Sequence, residues 1–171
     1  MIKKISIAIL VMAVAGAAIY YFTRGGEPAV TQQVEQVQQA TNDLPYLKFT
    51  KLDGAVVSAH DLPGKTILVM FNSDCDHCQR EAGEISEKIS LFKDYTLYFL
   101  ASDPIENILK FAQEYGLASH KNVIFGRAEV PDVIQTFGPI ATPSVYIYSQ
   151  EKRLVKYFNG ETKVADIVSF L

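Results

Sequence analysis

The sequence predicts an α/β layered domain standing behind one apolar N-terminal segment of membrane-spanning length. Three observations predict it. From Leu44 onward, short β-rich apolar runs alternate with stretches whose apolar residues recur every three or four positions. The last two runs are joined by a short polar turn and followed by one more helical stretch, so the alternation closes with a hairpin and a helix. Ile5 to Phe22 carries no charge at all. A chain of 171 residues suffices for one domain with a real core plus such an appendage.

The composition narrows the class. Hydrophobic residues make up 49% and charged residues 20%, which marks a globular chain rather than a disordered one. Net charge is −3, and Lys3, Lys4 and Arg24 put +3 on the acid-free residues 1–24, so the rest carries −6. An acidic domain argues against a nucleic-acid partner. Two cysteines cannot form a disulfide scaffold, and no period of repeat-protein length is visible.

Residues 1–24 read as a transmembrane anchor or a signal segment. The apolar run is about 18 residues, or roughly 27 Å as a helix, close to the ~30 Å hydrocarbon core. Lys3 and Lys4 precede it and the single Arg24 follows, which keeps the N-terminus cytoplasmic and exports the remainder. Tyr20 and Tyr21 suit the outer interface. Ala13-Val14-Ala15 and Ala15-Gly16-Ala17 are small-x-small cleavage patterns, so secretion after cleavage is the alternative. Ala18 to Phe22 continues the apolar run where a signal peptide turns polar, which favours the uncleaved anchor. Residues 25–43, with "GGEP" and the Gln/Val-rich "TQQVEQVQQATND", read as a flexible linker, and 44–171 as the domain.

Within the domain, "YLKFTKL" alternates, Asp53-Gly54 is a hairpin turn and "AVVSA" returns. "TILVMF", Thr66 to Phe71, is a strand buried on both faces. Ala82, Ile85, Ile89 and Phe92 then mark one helix, whose stripe extends back through Cys78 and Cys75, with Asn72, Ser73 or Asp74 as the N-cap. "YTLYFLA" is a second buried strand. Pro104 to Tyr115 is a helix carrying Ile105, Ile108, Leu109, Ala112 and Tyr115 on one side and stopped by Gly116. "NVIFG" is a short strand, and "VPDVIQTFG" a short helix opened by Pro131. "TPSVYIY" is a strand with a proline second, "SQEK" turns the chain, "RLVKYF" returns, and Val164, Ile167, Val168 and Leu171 bury the last helix.

The chemistry concentrates in "MFNSDCDHCQRE", Met70 to Glu81. A buried strand followed by Cys-x-x-Cys opening a helix places Cys75 at the helix N-terminus, where the dipole and unpaired N–H groups favour a thiolate. Cys78 lies one turn on, within reach of a small disulfide ring. A protonated His77 favours the Cys75 thiolate, while Asp74 and Asp76 oppose it.

These residues resemble the thioredoxin-like superfamily, and within it the membrane-anchored TlpA/ResA group of thiol-disulfide oxidoreductases. The resemblance spans Leu44 to Leu171. It rests on "FTKLDGAVVSAHDLPGKTILVMF" as leading hairpin and first core strand, "CDHCQRE" as active site, "NVIFG" as the group's inserted strand and "FGPIATPSVYIYSQEKRLVKYFNG" as proline-bearing strand and hairpin. It implies a thioredoxin-like fold: a central mixed sheet with flanking helices and an N-terminal β-hairpin, here preceded by one transmembrane helix. It further implies that Cys75 is the nucleophile, Cys78 the resolving thiol, and Pro143 a cis proline facing them. Thr142 would offer its backbone to substrate, and Glu81 would tune or shuttle cysteine protons. Asp76 and His77, between the cysteines, would tune thiol acidity. Helix side chains lean toward the N-terminus, so Glu81 can lie back over the turn bearing Cys78.

The sequence departs from the pattern in places. Val69 and Met70 stand where simple thioredoxins keep a buried Asp, there is no tryptophan before the site, and Asp76-His77 resembles the form of oxidising relatives. The implied activity is reduction of disulfides in envelope proteins such as apocytochrome c. The implied place is the outer face of a bacterial inner membrane, with a membrane thiol-disulfide electron donor, a single-pass monomer and no cofactor. Thiol oxidation is the sister reading. A copper- or zinc-binding carrier using Cys75, Cys78 and His77 is the reading from another class; copper-delivery relatives space their cysteines by three residues, and His60 and His120 lie in loops as solvated side chains. Peroxide reduction is disfavoured, because the Thr and Pro that such enzymes place before their cysteine are missing.

Overall fold

The computed structural model describes residues 43–171. The expected anchor at 1–24 and nearly all of the expected linker lie outside them. Among the described residues no helix is long and apolar enough to cross a membrane. Asp43, placed at the end of the linker by sequence, already forms a bridge to Arg153 and an ion pair at 2.6 Å.

Seven strands form one mixed sheet in the order β2-β1-β5-β4-β3-β6-β7. β1 (Lys48–Lys51) and β2 (Val56–Ser58) are the expected hairpin, turned at Gly54 with φ 86°. β3 (Thr66–Met70) is central and buried throughout; it runs parallel to β4 (Thr96–Ala101) and antiparallel to β6 (Ser144–Tyr148). β5 (Val123–Arg127) lies parallel to β4 and antiparallel to β1, and β7 (Leu154–Asn159) closes the edge beside β6. Gly126 lets β1 pass closely, since a Cβ there would meet Phe49 Cδ2 at 2.6 Å.

Period-two alternation sorts the central strands onto two faces. Ile67, Val69, Leu97, Phe99, Val145 and Ile147 pack under α1 (Asp76–Glu87), α2 (Ile105–Glu114) and α4 (Val164–Val168). Leu68, Met70, Tyr98, Leu100, Tyr146 and Tyr148 face α3 (Val130–Phe137) and the leading segment from Leu44. The tyrosines of "SVYIY" are thus core residues.

Three sequence expectations are corrected in detail. The helix expected to run to Phe92 ends at Glu87; the Lys88 N–H is shared between Glu84 O and Ile85 O, and a 3-10 turn (Ile89–Phe92) carries the apolar stripe on. On α2 the buried face is Ile108, Phe111 and Ala112, while Leu109 is 41% exposed, because the sheet lies one position round from the expected stripe. His60 is not a free loop side chain: its Nδ1 lies 2.9 Å from Leu44 O and its ring stacks on Tyr46.

Candidate active site

The site forms where β3 and β4 end side by side, Met70 opposite Leu100. Phe71 continues β3 into a cluster with Phe99, Phe111 and Phe125, fixing where the next loop starts. Asp103, just past β4, holds that loop: Oδ2 accepts from Ser73 N at 2.8 Å and Oδ1 from Asn72 Nδ2 at 3.3 Å. Gln79 Nε2 donates to Ser73 O at 3.1 Å from the helix side. Neither Asp103 nor Gln79 was singled out from sequence, because no spacing rule links the two strand ends.

Cys75 is itself the N-cap of α1. Its Sγ accepts from Cys78 N at 3.3 Å, replacing the expected Asn72, Ser73 or Asp74 cap. Asn72 Oδ1 is taken by Asp74 N at 2.9 Å, and Ser73 by the Asp103 carboxylate through its N–H, so both are held in the loop ahead of the helix. A sulfur at the cap receives a first-turn N–H and stands at the positive end of the helix dipole. On its other side, Cys75 donates to Thr142 O at 3.5 Å. The Thr142–Pro143 peptide is cis, and Pro143 sits just ahead of β6 rather than within it.

The two thiols differ sharply. Both are free; Cys75 is half-buried and Cys78 is 2% exposed. Burial, and then its contact with Cys75, push the Cys78 thiol well above the usual range. Cys78 therefore stays protonated at neutral pH, behind a more accessible partner.

The remaining predicted residues separate. Asp76 is exposed on the first turn of α1. Glu81 is not an ordinary surface acid: it is 2% exposed, Oε2 accepts from Thr162 N at 2.8 Å, and Oε1 is buried without a protein partner. Burial raises its pKa to about 7, with Glu161 and Glu84 adding to the rise and the Thr162 N–H opposing it. Its carboxyl thus faces the loop after β7, a partner the sequence did not suggest. His77 is exposed, and its Nδ1 lies 2.5 Å from Glu161 Oε2. Arg80 donates to both oxygens of Glu161, at 2.8 and 2.7 Å. These bonds hold the Glu161 carboxyl down at about 2.

Two hollows flank the cysteines. An apolar cleft of about 360 Å³ is lined by Met70, Leu100, Val133, Ile134, Ile140 and Thr142, the last being the residue whose carbonyl accepts from Cys75. A polar hollow of about 260 Å³ lies between Ser73, Asp74 and Gln79 and the helix face bearing Lys110 and Glu114. A larger cavity of about 650 Å³, between the Asp43–Lys48 segment, His60 and α3, is lined by no cysteine. Among the described residues, no three of His, Cys, Asp and Glu gather as a metal-ligand set.

Solved structures with this arrangement of strands and helices are numerous, and the three that follow are distant in sequence. A secreted disulfide oxidoreductase of Mycobacterium tuberculosis, homologous to E. coli DsbE, is 17% identical; the match covers 74% of this chain and 96% of that one, with a TM-score of 0.62. A thioredoxin-like protein from Aeropyrum pernix is 14% identical over 84% of this chain and 99% of that one, with a TM-score of 0.59. Arabidopsis thaliana ScoI, solved with copper bound, is 17% identical over 72% of this chain and 91% of that one, with a TM-score of 0.58. At these identities the likeness shows the thioredoxin-like fold alone. No curated protein matches the chain in sequence. The family pattern that does match runs over residues 37–156, from before the first strand to within the last and across both cysteines, and by that match the chain belongs to the AhpC/TSA family.

Proposed function

We propose that the protein is a thiol-disulfide oxidoreductase working through Cys75 and Cys78. One observation carries the reading: an accessible cysteine caps the helix and receives the N–H of a second, buried cysteine whose thiol stays protonated. That asymmetry assigns an order. The Cys75 thiolate attacks one sulfur of a substrate disulfide; a mixed disulfide forms and the other substrate sulfur leaves as a thiolate. Cys78 then loses its proton and attacks Cys75, and its sulfur displaces the substrate. Substrate gains two electrons, and the protein ends as the 75–78 disulfide. The Thr142 carbonyl and the apolar cleft beside it receive the substrate segment.

The finer reading joins the domain to residues 1–24. The chain is a TlpA/ResA-like protein, anchored once in a bacterial inner membrane with its domain outside the cytoplasm. It reduces envelope-protein disulfides, such as those of apocytochrome c, and a membrane thiol-disulfide donor recharges it. The resemblance and the charge pattern around the apolar run support this.

Cys78→Ala should accumulate mixed disulfides through Cys75, read by non-reducing electrophoresis and mass spectrometry. Equal trapping by Cys75→Ala would reverse the order. The reduction potential sets the direction: a value near ~−270 mV fits a reductase, and one near ~−120 mV an oxidant. A copper carrier is the second reading, favoured by the fold shared with copper-bound ScoI. Tight binding of one copper by the reduced protein, without disulfide exchange, would replace the first reading with it.

A further inference from the structure

The loop after β7 and the first residue of α4 hold α1 at three points. Thr162 N donates to Glu81, Val164 N donates to Glu84 at 3.3 Å, and Glu161 reaches back to His77 and Arg80. The last contact involves the residue between the two cysteines. His77 Nδ1 has two neighbours, Glu161 Oε2 at 2.5 Å and Arg80 NH2 at 2.7 Å. They make opposite demands on the ring. A guanidinium only donates, so Arg80 requires a bare Nδ1; a carboxylate only accepts, so Glu161 requires Nδ1–H. The 2.5 Å contact is the shorter of the two, and the carboxylate is itself held by two guanidinium bonds.

We infer that Glu161 is a positioning residue for the cysteine pair: held in place by Arg80, it fixes the His77 ring by Nδ1–H and so sets the charge of the residue that stands between Cys75 and Cys78 on the first turn of α1. This rests on the redox reading of the two cysteines. The physical chain is short. A carboxylate against Nδ1–H favours the imidazolium. An imidazolium between the cysteines favours the Cys75 thiolate. Arg80 offsets part of the Glu161 charge at the ring as well as at the sulfur, so the effect that reaches Cys75 is the difference between the two. The other charges facing the trio are Asp76 and Cys75 on α1, which both act on Arg80, and Glu81, which feels Glu161. Glu84 and Lys163 stand at the neighbouring point of contact between the loop and α1.

The test uses the full chain and four variants, Glu161→Gln, Glu161→Asp, His77→Ala and the double variant of Glu161→Gln with His77→Ala. Two readouts are followed against pH: the His77 ring signals by NMR, and the alkylation rate of the reduced pair with iodoacetamide. Glu161→Gln should move the His77 protonation midpoint down. It should also slow alkylation near neutral pH by about threefold, equivalent to roughly half a pH unit in thiolate formation. In the His77→Ala background the same substitution should change alkylation little, and Glu161→Asp should restore most of the rate. An equal effect with and without His77 would mean that Glu161 acts directly by charge, and would overturn the inference. So would an unmoved His77 titration, or a change confined to the unfolding midpoint. Wild-type exchange with a small disulfide is measured alongside. Its absence would remove the redox reading, whereas normal exchange with a silent Glu161→Gln would remove only this inference.

Discussion

Glu81 and Glu161 join the same helix to the same loop from opposite sides, in opposite surroundings. Glu81 projects from α1 into the interior and meets one backbone N–H, that of Thr162. Glu161 projects from the loop over the helix surface and meets a guanidinium and an imidazole. Burial drives the first carboxyl up to about 7, while charge-assisted bonds hold the second at about 2. Distance from the cysteines does not explain the contrast, since both belong to one patch of contacts. It follows from whether water or a cation compensates the charge. An acid that titrates near neutrality, one turn from Cys78, can exchange protons under working conditions; one held at about 2 supplies a fixed charge.

The largest expected effect comes from removing the buried charge. The Glu81 pKa is higher in the folded state than its ordinary 4.5, so the folded protein binds the extra proton. Stability then falls as pH rises from about 4.5 through about 7, and the penalty is complete above that. Glu81→Gln keeps an oxygen for Thr162 N and removes the charge. It should stabilise the protein by roughly 2–3 kcal/mol at pH 8.5 and by little at pH 4, read by urea unfolding at both. A pH-independent difference would place Glu81 outside this account. The same variant should lose any inflection near pH 7 in the exchange rate.

The reverse perturbation keeps the carboxyl and deletes its donor. Thr162→Pro has no N–H, so Glu81 would lose the bond that favours its charged form, and its protonation midpoint should climb above 7. The expected loss of stability is about 1–3 kcal/mol at pH 8, shrinking as the pH falls and the carboxyl protonates. Carboxyl NMR of Glu81 checks the midpoint directly. A downward shift would contradict the role given to the Thr162 N–H.

This contrast also marks how far sequence reaches. The sheet was legible because each central strand is a continuous apolar run and each helix repeats every three or four residues; β3, β4 and β6 needed nothing else. The cysteine pair was legible because both cysteines of the chain stand three positions apart within the twelve from Met70 to Glu81. The Glu81 position was legible too, through its place three residues past Cys78, but its burial and its Thr162 partner were not. The Glu161–His77 contact joins residues 84 apart and depends on how the β7–α4 loop returns over α1. Asp103 was hidden for the same reason: it acts across parallel strands whose register no local pattern encodes. The cap was not legible, because a cysteine sulfur is a weak acceptor and the usual cap preference points to Asn, Ser or Asp.

The smallest expected effect is the sharpest check on the comparison. Glu161 has its pKa lowered, so its contribution to stability is present above the ordinary carboxylate pKa and is lost only as pH falls through about 2. Between pH 5 and 9 its charge does not change, and its exposed partners are screened by solvent. Glu161→Gln should therefore act on the slope of stability against pH only through its neighbours, by easing the Glu81 carboxyl and releasing the His77 ring, and the change should be small beside that of Glu81→Gln. Glu81→Gln, at the other side of the same contact, should flatten that slope. If Glu161→Gln flattened it as fully as Glu81→Gln does, the two carboxylates would be titrating as one coupled pair. The neutral-pH proton would then belong to both acids, and the division between a proton-exchanging group and a fixed charge would fail.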